Sequence, residues 1–277
     1  MPRKIAFQGE AGAYSHHACR QARPEFEAMA CETFVDVINA VRSGEAEIAA
    51  LPVENSIYGR VADIHRLLPD SGLFIIDEVF VRITINLLAL PGAGLPQIKS
   101  AYSHTVLLGQ CHRFLENNRI RAFNWSDTAG AARHVAETGD PSAAALASPL
   151  AGEINALETL ATDISDEKFN RTRFLIMSRD HQTDRRGSNG MITAFMFQVR
   201  NIPAALYKAL GGFATNQVNM IKLESYMLHG TFRATQFLAE VEGHPEDGPL
   251  KLALEELSFF TSEFHLLGVY PAAPERG

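Results

Sequence analysis

The sequence predicts an α/β region followed by a smaller α+β module, and three observations support this division. Through residues 1–180, short apolar runs alternate with segments of helical periodicity, which is typical of a parallel sheet flanked by helices. Residues 181–190 (HQTDRRGSNG) are polar and contain glycine, as linkers do. After them the order changes to strand, helix, strand, strand, helix and strand, which is the ferredoxin-like arrangement.

Two helices of the α/β region are bounded by residues that start or stop them. Ser15 is predicted as the N-cap of the first helix, and Gly44 as the end of the second. The predicted strands are residues 4–7, 48–53, two runs within 73–90, 98–103, 122–125, 143–148 and the run that begins at 170. The predicted helices are residues 16–23, 34–43, 106–117 and 128–138, with a weaker helical stretch at 154–160.

Similar local signals mark the elements of the C-terminal module. Pro203 suits the first turn of a helix that ends near Gly211–Gly212. Leu228, His229 and Gly230 form a hairpin signal between two strands. The remaining predicted elements are strands at 191–199, 218–227, 231–241 and 265–270 and a helix at 250–261.

The amino-acid composition excludes several classes of protein. Hydrophobic residues make up 46% of the 277 residues and charged residues 21%, so the chain can bury a core. A formal net charge of −7 argues against a nucleic-acid partner, whose phosphates need a basic face. Cys19, Cys31 and Cys111 show no disulfide or CxxC spacing, which favours a reducing compartment.

No membrane partner is expected from the sequence. The first residues, MPRKIAFQGEAG, contain no apolar region that would mark a signal peptide. The longest apolar stretch, GLFIIDEVFVRITINLLAL, is interrupted by Asp77, Glu78 and Arg82, so it cannot span a bilayer. We therefore expect a cytoplasmic protein.

Polar side chains stand where predicted strands end, which is where parallel α/β folds bind ligands. Glu54, Asn55 and Ser56 follow one strand directly, and Ser103 ends another. Gln110 comes seven residues after Ser103, about two helical turns, so the two share a face only if one helix includes both. Taken singly, each group is equally consistent with a cap or a satisfied structural residue.

The segment NRTRF supplies a third set of polar groups. If it is a strand, Thr172 and Phe174 face one way and Arg173 faces the other. Gly9 and Gly12 lie between a strand and a helix, where backbone N–H groups suit a carboxylate or phosphate, although a turn without a ligand fits equally well.

No metal or cofactor motif is present in the sequence. The His16–His17 and Cys111–His112 pairs are adjacent, so neither pair shares a helix face for chelation, and no HExxH or Cys/His set occurs. The glycine spacing matches neither GxGxxG nor the Walker loop. We expect no metal and no cofactor.

Taken together, these stretches resemble a prephenate dehydratase. The matching pieces, in order, are FQGEAGAYS, LPVENSIYGRV, SHTVLLGQC, DTAGAARHVAETGDPSAAALAS and NRTRF. The last module resembles the ACT regulatory domain that follows the catalytic domain in this family. The resemblance implies a catalytic domain at 1–182, a periplasmic-binding-protein-like fold of two α/β lobes around a cleft, and an ACT domain at 191–277. Lobe one would comprise about 1–78 and 170–182, and lobe two about 79–169.

The family is a group of lyases that convert prephenate to phenylpyruvate, carbon dioxide and water in L-phenylalanine biosynthesis, without a cofactor. The resemblance implies that Thr172 donates a proton or hydrogen bond to the leaving hydroxyl. Two roles stay open, since Arg173 would hold either a substrate or a structural carboxylate, and Glu54 would be either a proton source or a link to the regulatory module. The substrate-binding residues that it implies are Asn55, Ser56, Ser103, Gln110, Arg173 and Phe174, with Phe174 shielding the ring.

The resemblance also implies feedback regulation by L-phenylalanine and pairing of ACT modules into a homodimer or homotetramer. One departure weakens the regulatory expectation, because Tyr226 and Met227 replace the Arg-Pro of the family's Glu-Ser-Arg-Pro signature. The residues implied to bind phenylalanine are Ala204, Ala205, Leu206, Asn219, Glu224 and Ser225.

Two other functions fit the same sequence. One is arogenate dehydratase, whose substrate carries an amino group where prephenate has a keto group, so an acidic partner for the ammonium would distinguish them. The other is an ACT-linked amino-acid sensor without catalysis, against which the intact Thr172 motif argues.

Overall fold

The computed structural model describes residues 2–187, 189–227 and 234–276, which form two compact units. The first unit comprises Met1–Leu67 and Val79–Phe174, and the second comprises Leu68–Glu78 and Leu175–Gly277. The chain therefore passes between the units after residues 67, 78 and 174.

The first sheet of the first unit contains β1 (Lys4–Gln8). β1 pairs in parallel with β2 (Glu27–Cys31) on one side and with β3 (Ile48–Asn55) on the other. A two-residue strand, β4 (Gly59–Arg60), pairs antiparallel with the end of β3, so the chain turns back directly after Asn55. The helices of this part are α1 (Tyr14–Ala22), α2 (Phe34–Ser43) and α3 (Ala62–Leu67).

Local sequence signals explain why α2 has the limits that were predicted. The Thr33 hydroxyl accepts a hydrogen bond from the backbone N–H of Asp36 at 3.1 Å, and the Asp36 carboxylate accepts one from the Thr33 N–H at 3.0 Å. This reciprocal capping box satisfies two N–H groups of the first turn. Gly44 ends the helix with a φ of 85°, which glycine adopts without strain.

The second sheet of the first unit consists of β6 (Asn86–Ala89), β7 (Ser100–Ser103), β8 (Arg121–Asn124), β9 (Ala143–Ala147) and β10 (Glu158–Ala161). Its helices are α4 (Thr105–Gln110), α5 (His112–Asn117), α6 (Thr128–Thr138) and α7 (Pro149–Ile154). The strand order is β10-β6-β9-β7-β8, with β7 parallel to both of its neighbours. The first unit thus has an α/β fold of two lobes, one for each sheet, as predicted.

Two adjacent chain segments connect the lobes. The outgoing segment follows β5 (Phe74–Arg82), and the returning segment precedes β11 (Arg171–Ser178). The backbone N–H of Ile83 on the first segment donates to the carbonyl of Asn170 on the second at 2.9 Å. The two crossings between lobes therefore lie side by side.

The second unit contains the predicted βαββαβ order. Its elements are β12 (Met191–Val199), α8 (Ala205–Thr215), β13 (Met220–Met227), β14 (Ala234–Glu242), α9 (Gly248–Phe260) and β15 (Thr261–Pro271). The antiparallel order β13-β14-β12-β15 is that of a ferredoxin-like sheet. Gly268 of β15 lies beside Ile75 of β5 within the same unit. The predicted hairpin signal at 228–230 lies outside the described residues.

Two predicted boundaries at the start of the chain and in the second lobe were wrong. Ser15 lies inside α1, whose N-cap is Ala13, because the turn at Gly12 starts the helix earlier. The predicted helix 106–117 is broken at Cys111, where φ is −116°, so α4 ends at Gln110. Ser103 belongs to β7 and does not share a helix with Gln110.

Two further predictions failed for reasons of backbone geometry and packing. The stretch 154–160 is not a helix, because Ala156 adopts a left-handed φ of 53° between α7 and β10. Pro203 precedes the N-cap, and α8 continues through the glycine pair to Thr215. Gly212 does not end the helix; a Cβ there would lie 2.8 Å from the Glu256 Cβ, so glycine permits close packing of α8 on α9.

Three shorter elements complete the structure. They are 3₁₀ turns at Leu68–Asp70, Leu95–Gln97 and Pro274–Arg276. Across the parts of the chain that the structure describes, no helix is both long enough and apolar enough to cross a membrane.

Candidate active site

The site begins at the end of β3, where the Asn55 side chain is held by the backbone that follows it. The Asn55 Oδ1 accepts hydrogen bonds from the backbone N–H groups of Ile57 and Tyr58, each at 3.0 Å. Such an Asx turn explains why an asparagine, which strands disfavour, stands at this position. Because both partners of Oδ1 are donors, the Asn55 amide has only one orientation, with its NH₂ group directed away from the turn.

The NH₂ group of Asn55 contacts two residues of the NRTRF segment. Its Nδ2 donates to the Thr172 Oγ1 at 3.0 Å and to the Asn170 Oδ1 at 2.7 Å. The Thr172 hydroxyl thus accepts a hydrogen bond from within the protein. The bond that it accepts strengthens the hydroxyl as a donor of its own proton.

A second amide contact continues this chain into the second lobe. The Asn170 Nδ2 donates to the Gln110 Oε1 at 3.2 Å. Gln110 ends α4 and is 5% exposed, and Asn170 is 2% exposed. Three of the predicted residues, Asn55, Gln110 and Thr172, are therefore brought together, and Asn170 is the residue that joins them.

Ser56 lies next to this chain of amides and anchors the returning segment. Its backbone N–H donates to the Arg171 carbonyl at 2.9 Å, and its Oγ accepts from the Arg171 N–H at 2.9 Å. The same Oγ donates to the Phe169 carbonyl at 2.9 Å. These three bonds hold residues 169–171 against the end of β3, so the contacts of Ser56 are structural.

Arg173 and Glu54 form an ion pair beside the site. The Arg173 Nη1 lies 3.1 Å from the Glu54 Oε2, and the Arg173 side chain is 5% exposed. Strand alternation directs Arg173 and Thr172 to opposite sides of β11. The sequence left open whether Arg173 holds a substrate carboxylate or a structural one. In the structure its partner is the carboxylate of Glu54.

Two of the predicted substrate-binding residues lie apart from the amide chain. Ser103 is fully buried in the second sheet, and its Oγ donates to the Leu146 carbonyl at 2.6 Å. Phe174 is 1% exposed and belongs to an apolar core cluster with Leu107 and Ile83. The contacts of both residues are internal, and their role toward a substrate stays a prediction.

The turn at residues 9–12 is occupied by partners within the protein. The Gly12 N–H donates to the His16 Nδ1 at 3.1 Å, and its carbonyl accepts from the buried Ser148 Oγ at 2.6 Å. Burial and the nearby Arg20 lower the pKa of His16, which keeps this acceptor neutral. The backbone N–H and carbonyl of Gly12 therefore both have partners within the protein.

Two residues of the site were not predicted from the sequence. Asn170 lies in the NRTRF segment, but no role was predicted for it. The only signal for it is that an asparagine stands directly before a polar strand. His65 of α3 is 2% exposed, and its Nε2 lies 3.0 Å from the carbonyl of Val53, two residues before Asn55. A buried histidine on a helix that follows the strand gives no sequence signal of its own. Within the described residues, no group of three or more His, Cys, Asp or Glu side chains is placed to hold a metal ion.

The residues implied in phenylalanine binding lie around the start of α8 and along β13. Ala204 is the N-cap of α8 with a left-handed φ of 61°, followed by Ala205 and Leu206 in the first turn. The Glu224 Oε1 lies 3.1 Å from the Lys222 Nζ on the same face of β13. The other two implied residues are Asn219, just before β13, and Ser225, on the opposite face of that strand from Glu224.

Comparison with known proteins gives consistent matches. Residues 5–182 match the family model of prephenate dehydratase. The chain is 50% identical over 274 residues to a bifunctional N-acyl-homoserine lactone acylase/prephenate dehydratase of Komagataeibacter europaeus, covering 99% of this chain and 98% of the relative. It is 34% identical to arogenate dehydratase/prephenate dehydratase 2 of Arabidopsis thaliana, covering 97% of this chain and 72% of that protein.

A solved structure has a similar fold. It is the prephenate dehydratase of Arthrobacter aurescens in complex with L-Phe, with a TM-score of 0.87 and 29% identity. The match covers 99% of this chain and 91% of that chain.

Proposed function

Because the chain belongs to the prephenate dehydratase family, whose members are lyases, we propose that it converts prephenate to phenylpyruvate, carbon dioxide and water. The observation that carries this proposal is the hydrogen bonding of the Thr172 hydroxyl. Its oxygen accepts from the Asn55 amide at 3.0 Å, so its proton is available to a leaving group.

The chemistry needs little more than such a donor. Prephenate loses a ring hydroxyl and a ring carboxylate together, and the product gains an aromatic ring, which supplies the driving force. A threonine hydroxyl is a weak acid, so Thr172 acts as a positioned donor that stabilises charge on the departing oxygen. Donors of this kind contribute about 3–4 kcal/mol, or about 10²- to 10³-fold in rate.

Neutral amides complete the proposed site. Since the Gln110 Oε1 accepts from Asn170, the group that Gln110 can present to a substrate is its Nε2 donor. A neutral donor binds a carboxylate without adding a positive charge that would stabilise the ground state of the group to be lost. Arg173, paired with Glu54, contributes structure in this proposal.

The central test compares three forms of the chain with prephenate at neutral pH. We expect the wild type to form phenylpyruvate, Thr172→Ser to retain most of the rate, and Thr172→Ala to lose about 10²-fold or more. The serine variant is the matched control, because it keeps the hydroxyl and removes only a methyl group. Full activity of a folded Thr172→Ala variant would remove Thr172 from the mechanism.

Arogenate is the alternative substrate, and the same assay distinguishes it. A relative that is 34% identical is named as acting on both. We propose prephenate as the better substrate, because the amide chain contains no carboxylate and Glu54 is already paired with Arg173. A higher kcat/KM with arogenate would reverse this preference.

A second activity is favoured by the 50% identical relative, whose name includes N-acyl-homoserine lactone acylase. We propose that this chain be assayed for the same hydrolysis, with the released fatty acid measured by mass spectrometry. If Thr172→Ala abolishes dehydration and leaves acylase turnover unchanged, the two activities use different groups.

We further propose that residues 191–277 form an ACT domain that binds L-phenylalanine and pairs with a second copy, and that residues 1–182 form the catalytic domain. The family match over 5–182, the ferredoxin-like strand order and the L-Phe in the similar structure support this division. Among the residues that the structure describes, β13 is the outermost strand of its sheet, and an edge strand of this kind can pair with a second copy.

Two measurements test the regulatory proposal. Calorimetry should detect binding of phenylalanine at millimolar concentration, and light scattering should give the mass of a dimer or tetramer. Absence of heat would count against the phenylalanine site, since Tyr226 and Met227 already depart from the family signature.

A further inference from the structure

Asn170 occupies the point where the chain returns from the second lobe to the first. It is 2% exposed, and its backbone carbonyl accepts from the Ile83 N–H of the outgoing segment at 2.9 Å. The backbone of Asn170 is therefore held between the two connecting segments, independently of its side-chain contacts.

The Asn170 side chain joins one residue from each lobe. Its Oδ1 accepts from Asn55, at the end of β3, at 2.7 Å, and its Nδ2 donates to Gln110, at the end of α4, at 3.2 Å. A buried primary amide is suited to this role because one end only accepts and the other only donates.

The direction of the whole chain of amides is set at one end by the backbone. The N–H groups of Ile57 and Tyr58 occupy the Asn55 Oδ1, so Asn55 must offer its NH₂ group to Asn170. Asn170 must then offer its NH₂ group to Gln110, and the Gln110 Oε1 must face Asn170. As a result the Nε2 of Gln110 is the end that remains for a ligand.

We propose that Asn170 is a positioning residue, which orients the Gln110 amide so that its donor end faces an anionic substrate. This inference rests on the proposed function, because it assumes that Gln110 contacts a carboxylate or the leaving hydroxyl of prephenate. Asn170 itself touches neither group.

The variant Asn170→Asp separates orientation from bulk, because it has nearly the same shape. Its carboxylate still accepts from Asn55 but cannot donate to Gln110, so the Gln110 amide turns and offers Oε1 to the substrate. We expect KM for prephenate to rise at least 10-fold at pH 8, with a smaller change in kcat.

The pH dependence of KM provides the readout that a structural role would not move. When the introduced carboxyl is protonated it regains a donor, and Gln110 returns to its original orientation. The KM penalty should therefore shrink as the pH falls, whereas the wild type lacks this recovery. Burial disfavours the charged form, which brings the recovery into a measurable pH range.

Two further variants complete the experiment. Asn118→Asp makes the same change at an exposed helix end and should leave KM unchanged. Asn170→Ser removes both amide contacts and should raise KM at every pH without recovery. If Asn170→Asp fails to fold, Asn170→Ser carries the test, and an unchanged KM for the folded serine variant would overturn the role of Asn170.

Each result has a defined meaning. An unchanged KM for folded Asn170→Asp, or a raised KM that does not recover at low pH, would overturn the role of Asn170 while leaving the proposed function intact. A wild type without any turnover of prephenate would overturn the proposed function and the inference with it.

Discussion

At the scale of single residues, the site depends on amide groups whose two ends have different partners. The Asn55 Oδ1 faces two backbone N–H groups, and its Nδ2 faces Thr172 and Asn170. A hydroxyl that accepts such a bond is a better donor than a free one. The arrangement strengthens Thr172 as a donor without any charged group in the amide chain.

Ala204 offers a test of backbone strain at one residue. It is exposed and holds a φ of 61°, a conformation that costs residues with a Cβ about 1 kcal/mol. Ala204→Gly should therefore stabilise the second unit by about 0.5–1 kcal/mol in urea unfolding. Ala205→Gly, one position inside α8, should destabilise it by a similar amount. Equal effects of the two variants would contradict the assignment of strain.

The cysteines differ in how far burial suppresses their ionisation. Burial raises the pKa of Cys19 and of Cys111 to about 12, the latter with a contribution from Asp166. At pH 8 both are thiols, so iodoacetamide should leave them unmodified in the native protein. Cys31 is half-buried, and burial and Asp36 raise its pKa as well. It should therefore be labelled slowly, at a rate that increases as the pH rises. Mass spectrometry after brief labelling checks this, with urea-unfolded protein as the control in which all three react.

At the scale of secondary structure, the turn before α1 approaches α7 of the other lobe at a glycine. A Cβ on Gly12 would lie 2.8 Å from the Ala151 Cα, and Gly12 has a φ of 97°. Gly12→Ala should therefore destabilise the fold by more than about 2 kcal/mol, through backbone strain and overpacking together.

Gly92 supplies the comparison for that prediction. Its φ is 81°, but a Cβ there would meet nothing within 4 Å. Gly92→Ala should cost only the conformational term, about 1 kcal/mol. If thermal unfolding showed equal losses of stability for the two variants, the contact with Ala151 would not contribute to the cost of Gly12→Ala.

The sequence predicted most elements of the α/β region because their start and stop signals are local. Gly44 and the Thr33–Asp36 pair mark both ends of α2, for example. The prediction that α8 ends at Gly211–Gly212 failed because the reason for Gly212 is its distance to Glu256 of α9, which no local pattern reveals.

The candidate site was predictable to a similar degree. Asn55, Gln110 and Thr172 were grouped because each stands near a strand end or in a motif of the family. Asn170 was not singled out, because its role depends on two crossings between lobes meeting side by side. The contact of Ser103 likewise depends on the pairing of β7 with β9, which brings the Leu146 carbonyl within reach of its hydroxyl.

At the scale of the whole chain, the second unit is closed by a charged cluster that involves residues far apart in sequence. Arg276 donates to both oxygens of Glu78, each at 2.7 Å, and to Glu240 at 2.9 Å. Glu78 and Glu240 are each 2% exposed. A buried carboxylate requires such a partner, because its desolvation is costly.

Replacement of Arg276 should therefore destabilise the second unit strongly. Arg276→Met should cost about 3–5 kcal/mol, since it leaves two buried carboxylates without this cation. Adding Glu240→Gln should recover part of the loss, and Glu275→Ala, at an exposed neighbour, should change little. Chemical denaturation of the four proteins checks the order, and an unaffected Arg276→Met variant would contradict it.

Two strands, β5 and β11, each belong partly to both units, and this limits how the protein can be divided. A gene truncated after codon 182 would retain Leu68–Glu78 and the end of β11 while discarding what they pack against, including Arg276. Such a fragment would lack Gly268, which lies beside Ile75, and would tend to aggregate. Exchange of the second unit between relatives would succeed only if Leu68–Glu78 were transplanted together with the C-terminal segment.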